Sequence, residues 1–307
     1  MTTFLWTNQS KANIIADLST ISAANMDVLL NYSMTTSTSD ADMQQYLDAL
    51  SAVGMQAILD IRAITGLLIA GRTSKTLTSG ELGTITNYVN KWRGHAAAWG
   101  WYTADEEGTA YPIAARQQVY DTIKTVHPTG QVVECHWMPV SGAYSPSVHD
   151  VFACDLGVPA GAYPYEWDDS PTGIGCVSRA TGLISDSAKE IAALSGFRTN
   201  MDTIRTELRA AGEKKFIVIM QAFSQTAAGR YKAMPPPGSL TKMWEQVIGA
   251  GWACYGIGWW LWKDDGGTIA IGDAGFADQR AEMADIAGNP YYAIVTKTHH
   301  YSFMMGG

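Results

Sequence analysis

Eight short apolar segments, each bounded by turn residues, recur along this chain and alternate with longer segments of helical periodicity. Short apolar runs predict buried strands, and apolar residues spaced three or four apart predict amphipathic helices. The predicted strands span residues 3–6, 27–32, 55–61, 97–104, 131–136, 151–156, 215–222 and 253–262. The helical segments include SDADMQQYLDALSAVG, IAARQQVYDTIKTVHP and SLTKMWEQVIGAG, and several end at Gly or Pro, where helices commonly stop. The chain is therefore predicted to repeat a strand and a helix eight times.

This repeat predicts an α/β protein built as one closed (β/α)8 barrel, the TIM barrel, which typically takes about 250 residues plus insertions. A doubly wound sheet is the alternative, but no GxGxxG or Walker pattern follows the first strand. No linker or sequence repeat divides the chain, so we predict a single catalytic barrel over residues 1–290 and a C-terminal tail over residues 291–307. The long irregular stretch AYPYEWDDSPTGIGCVSRATG after the sixth strand is expected to lie over the active face.

Charge and composition exclude several classes of partner. Lys and Arg total 21 against 29 Asp and Glu, a net charge of −8, so the chain lacks the positive surface that nucleic-acid binding requires. No run of 18 apolar residues predicts a membrane span. The four cysteines lie far apart without metal-ligand spacing, so we expect isolated buried thiols and predict neither a metal nor a cofactor.

Catalytic residues of a (β/α)8 barrel stand where the strands end, and in this chain those positions are rich in carboxylates. Asp60 ends the third apolar run, Asp105 and Glu106 follow the fourth, and Asp155 ends the sixth. Further polar or aromatic side chains at predicted strand ends include Tyr32, Arg62, Glu134, His136, Trp137, Gln221, Lys263 and Asp264. Paired carboxylates among aromatic rings suit a sugar substrate, because one acid protonates the leaving oxygen while the other stabilises or attacks the oxocarbenium-like centre. Any one of these acids has a structural alternative as a helix cap or ion-pair partner.

The eighth predicted strand contributes tryptophans. The pattern GIGWWLWKDD places Trp260 and Trp262 on one face of a strand and Trp259 on the other. We predict that Trp260 and Trp262 stack on sugars, or that Trp259 and Tyr163 do so if the register differs by one residue. The structural alternative is that these rings belong to the core.

Five stretches of the chain resemble TIM-barrel glycoside hydrolases, in the right order over about residues 27 to 265. WRGHAAAWGWYTADEEG resembles their fourth-strand region, in which a GWY-type strand ends in Asp-Glu-Pro. YLDALSAVGMQAILDI resembles their second helix and third strand, DVFACDLGVPAGAYPY their sixth strand followed by Tyr-Pro, KKFIVIMQAF their seventh strand, and GWACYGIGWWLW their Trp-rich eighth strand.

The resemblance implies that Glu106 is the general acid and that Asp105 occupies a position that is often Asn or Asp in the family. Two departures bear on mechanism: Glu107 replaces the usual Pro, and Gln221 stands where well-known retaining members carry a nucleophilic Glu. The usual two-Glu double displacement is therefore in doubt. The remaining candidates are expected to contact substrate: Asp60, Glu134, His136, Trp137, Tyr163, Gln221, Trp260 and Trp262.

Two mechanisms remain open at this point. In the first, Asp155 is the partner carboxylate of Glu106, either as a nucleophile or as an inverting base. In the second, Glu106 donates the proton and Asp105 orients the substrate's own 2-acetamido group as the nucleophile, as in hexosaminidase-like barrels. A metal site at Glu134 and His136 is the less favoured alternative to a substrate contact.

The expected function is hydrolysis of a polysaccharide or glycan, with an oligosaccharide or polysaccharide as the partner. The low charge, the many small polar residues and the lack of a signal peptide in this chain predict an extracellular or virion-associated protein. The rival from another class is a non-catalytic carbohydrate-binding barrel, such as a phage receptor-binding protein, and Gln221 is the feature that favours it.

Overall fold

Eight parallel strands close into a barrel in the computed structural model, which describes residues 1–69, 76–105, 112–136, 145–155, 163–212, 215–225, 231–251, 255–265 and 268–288. The barrel strands are β1 (Thr2–Thr7), β2 (Val28–Thr35), β3 (Gln56–Asp60), β4 (Ala98–Asp105), β5 (Gln131–His136), β6 (Val151–Asp155), β7 (Lys215–Gln221) and β9 (Gly256–Trp260). The helices are α1 (Lys11–Ala23), α2 (Asp40–Ala52), α3 (Arg62–Ile69), α4 (Ser79–Trp92), α5 (Ile113–Val126), α6 (Ser187–Ala210), α7 (Ser239–Gly249) and α8 (Ala277–Gly288).

The strand order confirms the predicted single (β/α)8 barrel. Each barrel strand pairs in parallel with the next, and β9 pairs with both β7 and β1, which closes the sheet and rules out a doubly wound arrangement. The eight predicted strands coincide with the eight barrel strands, although the last is shorter than predicted and ends at Trp260. The predicted tail over residues 291–307 lies outside the described residues, so the boundary at residue 290 stays a prediction.

Helix starts follow from local sequence. The side chain of Thr78 accepts a hydrogen bond from the backbone N–H of Glu81, and the Glu81 carboxylate in turn accepts one from the backbone N–H of Thr78, a capping box that begins α4. Ser39 caps α2 and Asp186 caps α6 through the same kind of side-chain acceptor. Among the described helices, none combines the length and the apolar character needed to cross a lipid bilayer.

The barrel interior is filled by large side chains of β1 that face glycines of β9. Phe4 and Trp6 are fully buried inside the barrel. A Cβ added at Gly258 would lie 2.5 Å from a ring carbon of Trp6, and one added at Gly256 would overlap the ring of Phe4. Close packing allows no such overlap, so the glycines of β9 are needed for the aromatic rings of β1 to fit.

The outer layer holds the larger core, between the strands and the surrounding helices. Leu5, Trp101, Phe152, Val218 and Trp259 point outward from alternate positions of their strands and are buried there. Cys135, Cys154 and Cys176 are buried, as expected from the sequence, and Cys254 lies outside the described residues.

The sequence did not predict a small two-stranded antiparallel sheet at the carboxyl end of the barrel. It pairs β8 (Phe223–Ser224), which follows β7, with β10 (Ile269–Ala270), which follows β9. Gln225 also forms an isolated bridge with Lys232. These short elements build up one side of the barrel mouth.

We expect Gly258→Ala to destabilise the fold by about 1 to 3 kcal/mol, the usual cost of overpacking a core. The matched control is Gly196→Ala, because Gly196 lies within α6 and an added Cβ there meets nothing within 4 Å. That control is expected to gain about 0.5 to 1 kcal/mol from the better helix propensity of Ala. Chemical denaturation of both variants measures the difference. Equal stabilities would contradict the role given to Gly258 in barrel closure.

Candidate functional site

An open cleft lies at the carboxyl end of the barrel, with a volume of about 310 Å³. This is at the lower end of the roughly 300 to 1,000 Å³ usual for small-molecule sites. The described residues that line it come from β2, β4 and β9 and from the segments that follow β1, β3, β8 and β9: Asn8, Tyr32, Arg62, Asp105, Gln225, Trp260, Leu261, Asp264 and Thr268. The cleft is therefore where the fold predicts an active site.

Arg62 is held between two carboxylates at the floor of the cleft. Its Nε and Nη2 groups donate to both carboxylate oxygens of Asp60 at 2.8 to 3.1 Å, and its Nη1 donates to Oδ2 of Asp105. Asp60 is only 2% exposed. Burial of the guanidinium opposes its charge, but the hydrogen bonds and charge of Asp60 outweigh this and raise the pKa of Arg62. Arg62 therefore stays charged and fixes the carboxylate of Asp105.

Two tyrosine rings enclose the same guanidinium. The Arg62 carbon Cζ lies 4.4 Å from the ring centroid of Tyr32 and 5.1 Å from that of Tyr102, within cation–π distance. The hydroxyl of Tyr102 donates to Oδ1 of Asp105 at 2.8 Å. Burial and the nearby charge of Asp105 raise the pKa of both tyrosines well above its usual value. Tyr102 therefore keeps its proton and remains a donor to Asp105.

One wall of the cleft is aromatic and its rim is polar. The indole of Trp260 lies 5.1 Å from the ring of Tyr32 at an angle of 59°. At the rim, the side-chain amide of Asn8 donates to Asp264 at 2.8 Å, and the backbone N–H of Thr268 donates to the same carboxylate at 3.2 Å. The cleft thus combines carboxylates, amides and flat aromatic surface, the groups that bind sugars.

Two of the predicted site residues, Asp105 and Trp260, line the cleft, and Asp60 lies directly beneath it. Glu106 and Trp137 lie outside the described residues. Asp155 is the last residue of β6, and its backbone pairs with that of Ile219 on β7.

Glu134 and His136 are predicted contacts that the structure places away from the cleft. Both point outward from β5 into the layer against α5. Arg116 of α5 donates to Oε2 of Glu134 at 2.6 Å, and the ring nitrogens of His136 and His149 lie 3.4 and 3.3 Å from the same oxygen. Burial alone would raise the pKa of Glu134, but these hydrogen bonds and the charge of Arg116 hold its pKa well below the usual value. The cluster is a buried ionic network of the outer core.

Gln221 faces the barrel mouth, but its amide is occupied by the backbone of two loops. Its Nε2 donates to the carbonyl oxygens of Tyr165 at 3.0 Å and Ala233 at 2.6 Å, and its Oε1 accepts from the Tyr165 N–H at 3.3 Å. The side chain is fully buried. Gln221 therefore joins the loop after β6 to the loop after β7.

The two remaining aromatic candidates, Tyr163 and Trp262, are buried in the protein. Tyr163 is 2% exposed and packs with Phe223, Leu261 and Ala270, a cluster against which Trp260 rests. Trp262 lies in the outer core, and its indole N–H donates to Asp17 at 3.2 Å. Neither side chain lines the cleft.

Sequence analysis missed several lining residues, namely Asn8, Gln225, Leu261 and Thr268. Tyr32, Arg62 and Asp264 were recognised at strand ends without a role. Asn8 directly follows β1, so the rule that polar strand ends form the site applies to it as well. Gln225 and Thr268 adjoin β8 and β10, which gave no periodic signal.

No metal site is found within the described part of the chain: no group of three or more His, Cys, Asp or Glu side chains is arranged to hold a metal ion.

Comparison with known proteins finds likeness at the level of the fold. No protein family model and no curated protein sequence matches the chain. Among solved structures, a β-galactosidase from Marinomonas ef1 is similar with a TM-score of 0.63 and 11% identity, over 97% of this chain and 60% of that one. The chain shares a TIM-barrel fold with such enzymes. It spans less than two thirds of the length of that β-galactosidase.

Two smaller structures match over more of their own length. A putative α-L-fucosidase from Bacteroides thetaiotaomicron is 12% identical with a TM-score of 0.56, over 95% of this chain and 93% of that one. A glycoside hydrolase of family 5 from Bacteroides vulgatus is 8% identical with a TM-score of 0.58, over 91% of this chain and 65% of that one.

Glu134→Gln is expected to destabilise the protein by about 3 to 5 kcal/mol at neutral pH, because it removes one charge of the buried Arg116–Glu134 ion pair. A carboxyl whose pKa is lowered in the folded state stabilises the fold at pH values above its ordinary pKa of 4.5. This stabilisation is lost as the pH falls from 4.5 towards the lower pKa of the folded state. The difference in unfolding free energy between the variant and the wild type should therefore become smaller at acidic pH. Denaturation at several pH values measures it, with Asp169→Asn, which breaks the exposed Arg179–Asp169 pair, as the control. A gap independent of pH would refute the ionic role of Glu134.

Gln221→Glu is expected to lower stability by about 2 kcal/mol or more, since a carboxylate cannot donate to the carbonyls of Tyr165 and Ala233 and would be buried facing them. Thermal unfolding measures the loss. The control Gln246→Glu, on the more open surface of α7, should change stability by about 0.5 kcal/mol or less. A variant at position 221 as stable as the wild type would show that the amide does not hold the two loops together.

Proposed function

We propose that this protein hydrolyses a glycosidic bond in a glycan or polysaccharide bound in the cleft. The observation that carries the proposal is the meeting of Asp105 and Trp260 in one cleft at the carboxyl end of the barrel. An ordered carboxylate opposite an aromatic wall suits a substrate that has an apolar ring face and develops positive charge during cleavage. The names of the structural neighbours, which include galactosidase, fucosidase and glycoside hydrolase of family 5, agree with this proposal.

In this proposal Glu106 is the general acid. It follows Asp105 in the sequence at the end of β4. Asp105 itself is poorly suited to carry the proton, because Arg62 and Tyr102 both donate to its carboxylate and favour the charged form. Glu106 would protonate the glycosidic oxygen as the bond to the anomeric carbon breaks, and the leaving group would depart as an alcohol.

The second carboxylate is assigned to Asp155, at the end of β6. Gln221 has no carboxylate, and its amide is engaged by backbone groups, so the seventh strand does not supply a nucleophile in this proposal. Asp155 would either attack the anomeric carbon to form a glycosyl ester, which water then hydrolyses while Glu106 takes the proton of that water, or take the proton of a water molecule that attacks the anomeric carbon. Asp105 would stabilise the positive charge that develops there.

Substrate assistance is the alternative route for the same site. A carboxylate has about four acceptor positions, so Asp105 can hold Arg62 and Tyr102 and still accept from the N–H of a 2-acetamido group. Asp105, rather than Asp155, would then be the essential partner of Glu106, and activity would be confined to N-acetylated sugars.

Glu106→Gln is expected to reduce turnover by about 100-fold or more while leaving substrate binding nearly intact, in line with the usual contribution of a general acid. The matched control is Glu107→Gln, which removes the neighbouring carboxylate and should keep turnover near that of the wild type. A reducing-end assay on bacterial and plant glycans provides the measurement. Normal turnover in the Glu106 variant would remove this residue from the mechanism.

Asparagine variants at positions 155 and 105 separate the two routes. Loss of hydrolysis that is greater in Asp155→Asn supports the two-carboxylate route, and loss that is greater in Asp105→Asn, with inhibition by a thiazoline-type analogue, supports substrate assistance. Full activity in both variants would contradict both routes. If the wild type binds oligosaccharides without hydrolysing them, the protein is instead a non-catalytic carbohydrate-binding barrel. Gln221 agrees with that alternative, because it has no carboxylate to act as a nucleophile.

A further inference from the structure

The charged groups of the cleft bear on which sugars it accepts. Among the described lining residues, Asp105 and Asp264 carry carboxylates, and Arg62 is the one cationic side chain. The described lining residues therefore carry a formal negative charge, and the buried carboxylate of Asp60 lies directly behind Arg62.

Arginine is the side chain that proteins use most readily to bind a carboxylate, through two parallel N–H groups. In this cleft one such edge of the guanidinium is taken by Asp60, and Asp105 engages a donor of the other. Nε and Nη2 of Arg62 face the two oxygens of Asp60, and Nη1 donates to Asp105. Stacking of Tyr32 and Tyr102 on the guanidinium further restricts its rotation. To pair with a carboxylate on a ligand through two N–H groups, Arg62 would therefore have to compete with its bonds to Asp60 or with its bond to Asp105.

We infer that the cleft selects uncharged or positively charged sugars and rejects sugars that carry a carboxylate. This inference rests on the proposed function and narrows it to a substrate class. A uronic acid would bring its charge beside the carboxylates of Asp105 and Asp264, while Arg62, the one cation among the described lining residues, is already engaged. Like charges at an interface weaken binding strongly. The aromatic wall of Trp260 and the amides of Asn8 and Gln225 need no charge on the sugar.

The test uses hexasaccharides that share one β-1,4-linked backbone and differ in charge: glucose units, protonated glucosamine units and glucuronate units. Binding is measured by calorimetry, and hydrolysis by release of reducing ends. At low salt the glucose hexamer should bind about tenfold or more tightly than the glucuronate hexamer, a difference of about 1.4 kcal/mol. The glucosamine hexamer should bind at least as tightly as the glucose hexamer.

Salt separates exclusion by charge from exclusion by shape. Charges more than about 8 Å apart are largely screened at physiological ionic strength and those closer less so, so the preference for glucose over glucuronate should shrink as salt rises. A preference that does not change with salt, or glucuronate binding as tight as glucose binding, would overturn the inference.

The variant Asp60→Asn is a second test, because it removes the carboxylate charge that pairs with Nε and Nη2 of Arg62. In this variant the ratio of glucose to glucuronate affinity should fall several-fold relative to the wild type. Asp202→Asn is the control, since it removes an exposed carboxylate paired with Arg198 on α6, and it should leave the ratio unchanged. If the Asp60 variant does not fold, the salt series on the wild type decides alone.

The outcomes distinguish this inference from the proposed function. Binding of the glucose hexamer over the glucuronate hexamer without any hydrolysis supports the charge selection and contradicts the enzyme. Hydrolysis of glucuronate as fast as glucose contradicts the charge selection and supports the enzyme. Failure of all three hexamers to bind contradicts the charge selection.

Discussion

Closure of the barrel depends on large side chains of its first strand packing against glycines of its last strand. β1 contributes the rings of Phe4 and Trp6, and β9 contributes glycine where those rings lie. The pairing of Phe4 with Gly258 fixes the register between the two strands. With that register set, Trp260 emerges at the carboxyl end of β9 with its ring beside Tyr32 of β2. Packing deep in the barrel thus determines where the aromatic wall of the cleft stands.

A second constraint is the cost of burying charge. Asp60 is almost fully buried, and such a carboxylate is tolerated only when it is paired and hydrogen-bonded. Arg62 meets that requirement, and the same guanidinium reaches Asp105 on the neighbouring strand. Asp60 is paired with Tyr102 in the register of β3 and β4, and this pairing brings the guanidinium of Arg62 close to Asp105. The orientation of Asp105 is therefore a consequence of strand pairing and of the buried acid beneath it.

The fold was predictable from sequence because eight apolar runs separated by helical segments allow few arrangements. Part of the cleft was predictable for a related reason: strand ends converge in a barrel, and Asp105 and Trp260 stand at strand ends. Glu134 and His136 were assigned wrongly to that face because β5 is apolar at both outward and inward positions, so its pattern does not reveal which side faces the helices. Trp262 was assigned by alternation, which no longer applies beyond the end of β9 at Trp260. The backbone partners of Gln221 come from loops whose positions no local pattern specifies.

Buried acids are neutralised differently in the outer layer and at the cleft. In the outer layer Glu134 has Arg116 and Glu190 has Lys242, and in the loops after β6 and β7 Glu166 has Lys232. At the cleft, Asp60 and Asp105 both pair with the guanidinium of Arg62. Pairing in the outer layer serves stability, because a buried charge without a partner is costly. At the cleft, the two carboxylates beside Arg62 leave a formal negative charge among the described residues, next to the space where the proposed substrate would bind. Because such charge is fixed before binding, it can stabilise a cationic transition state without reorganising.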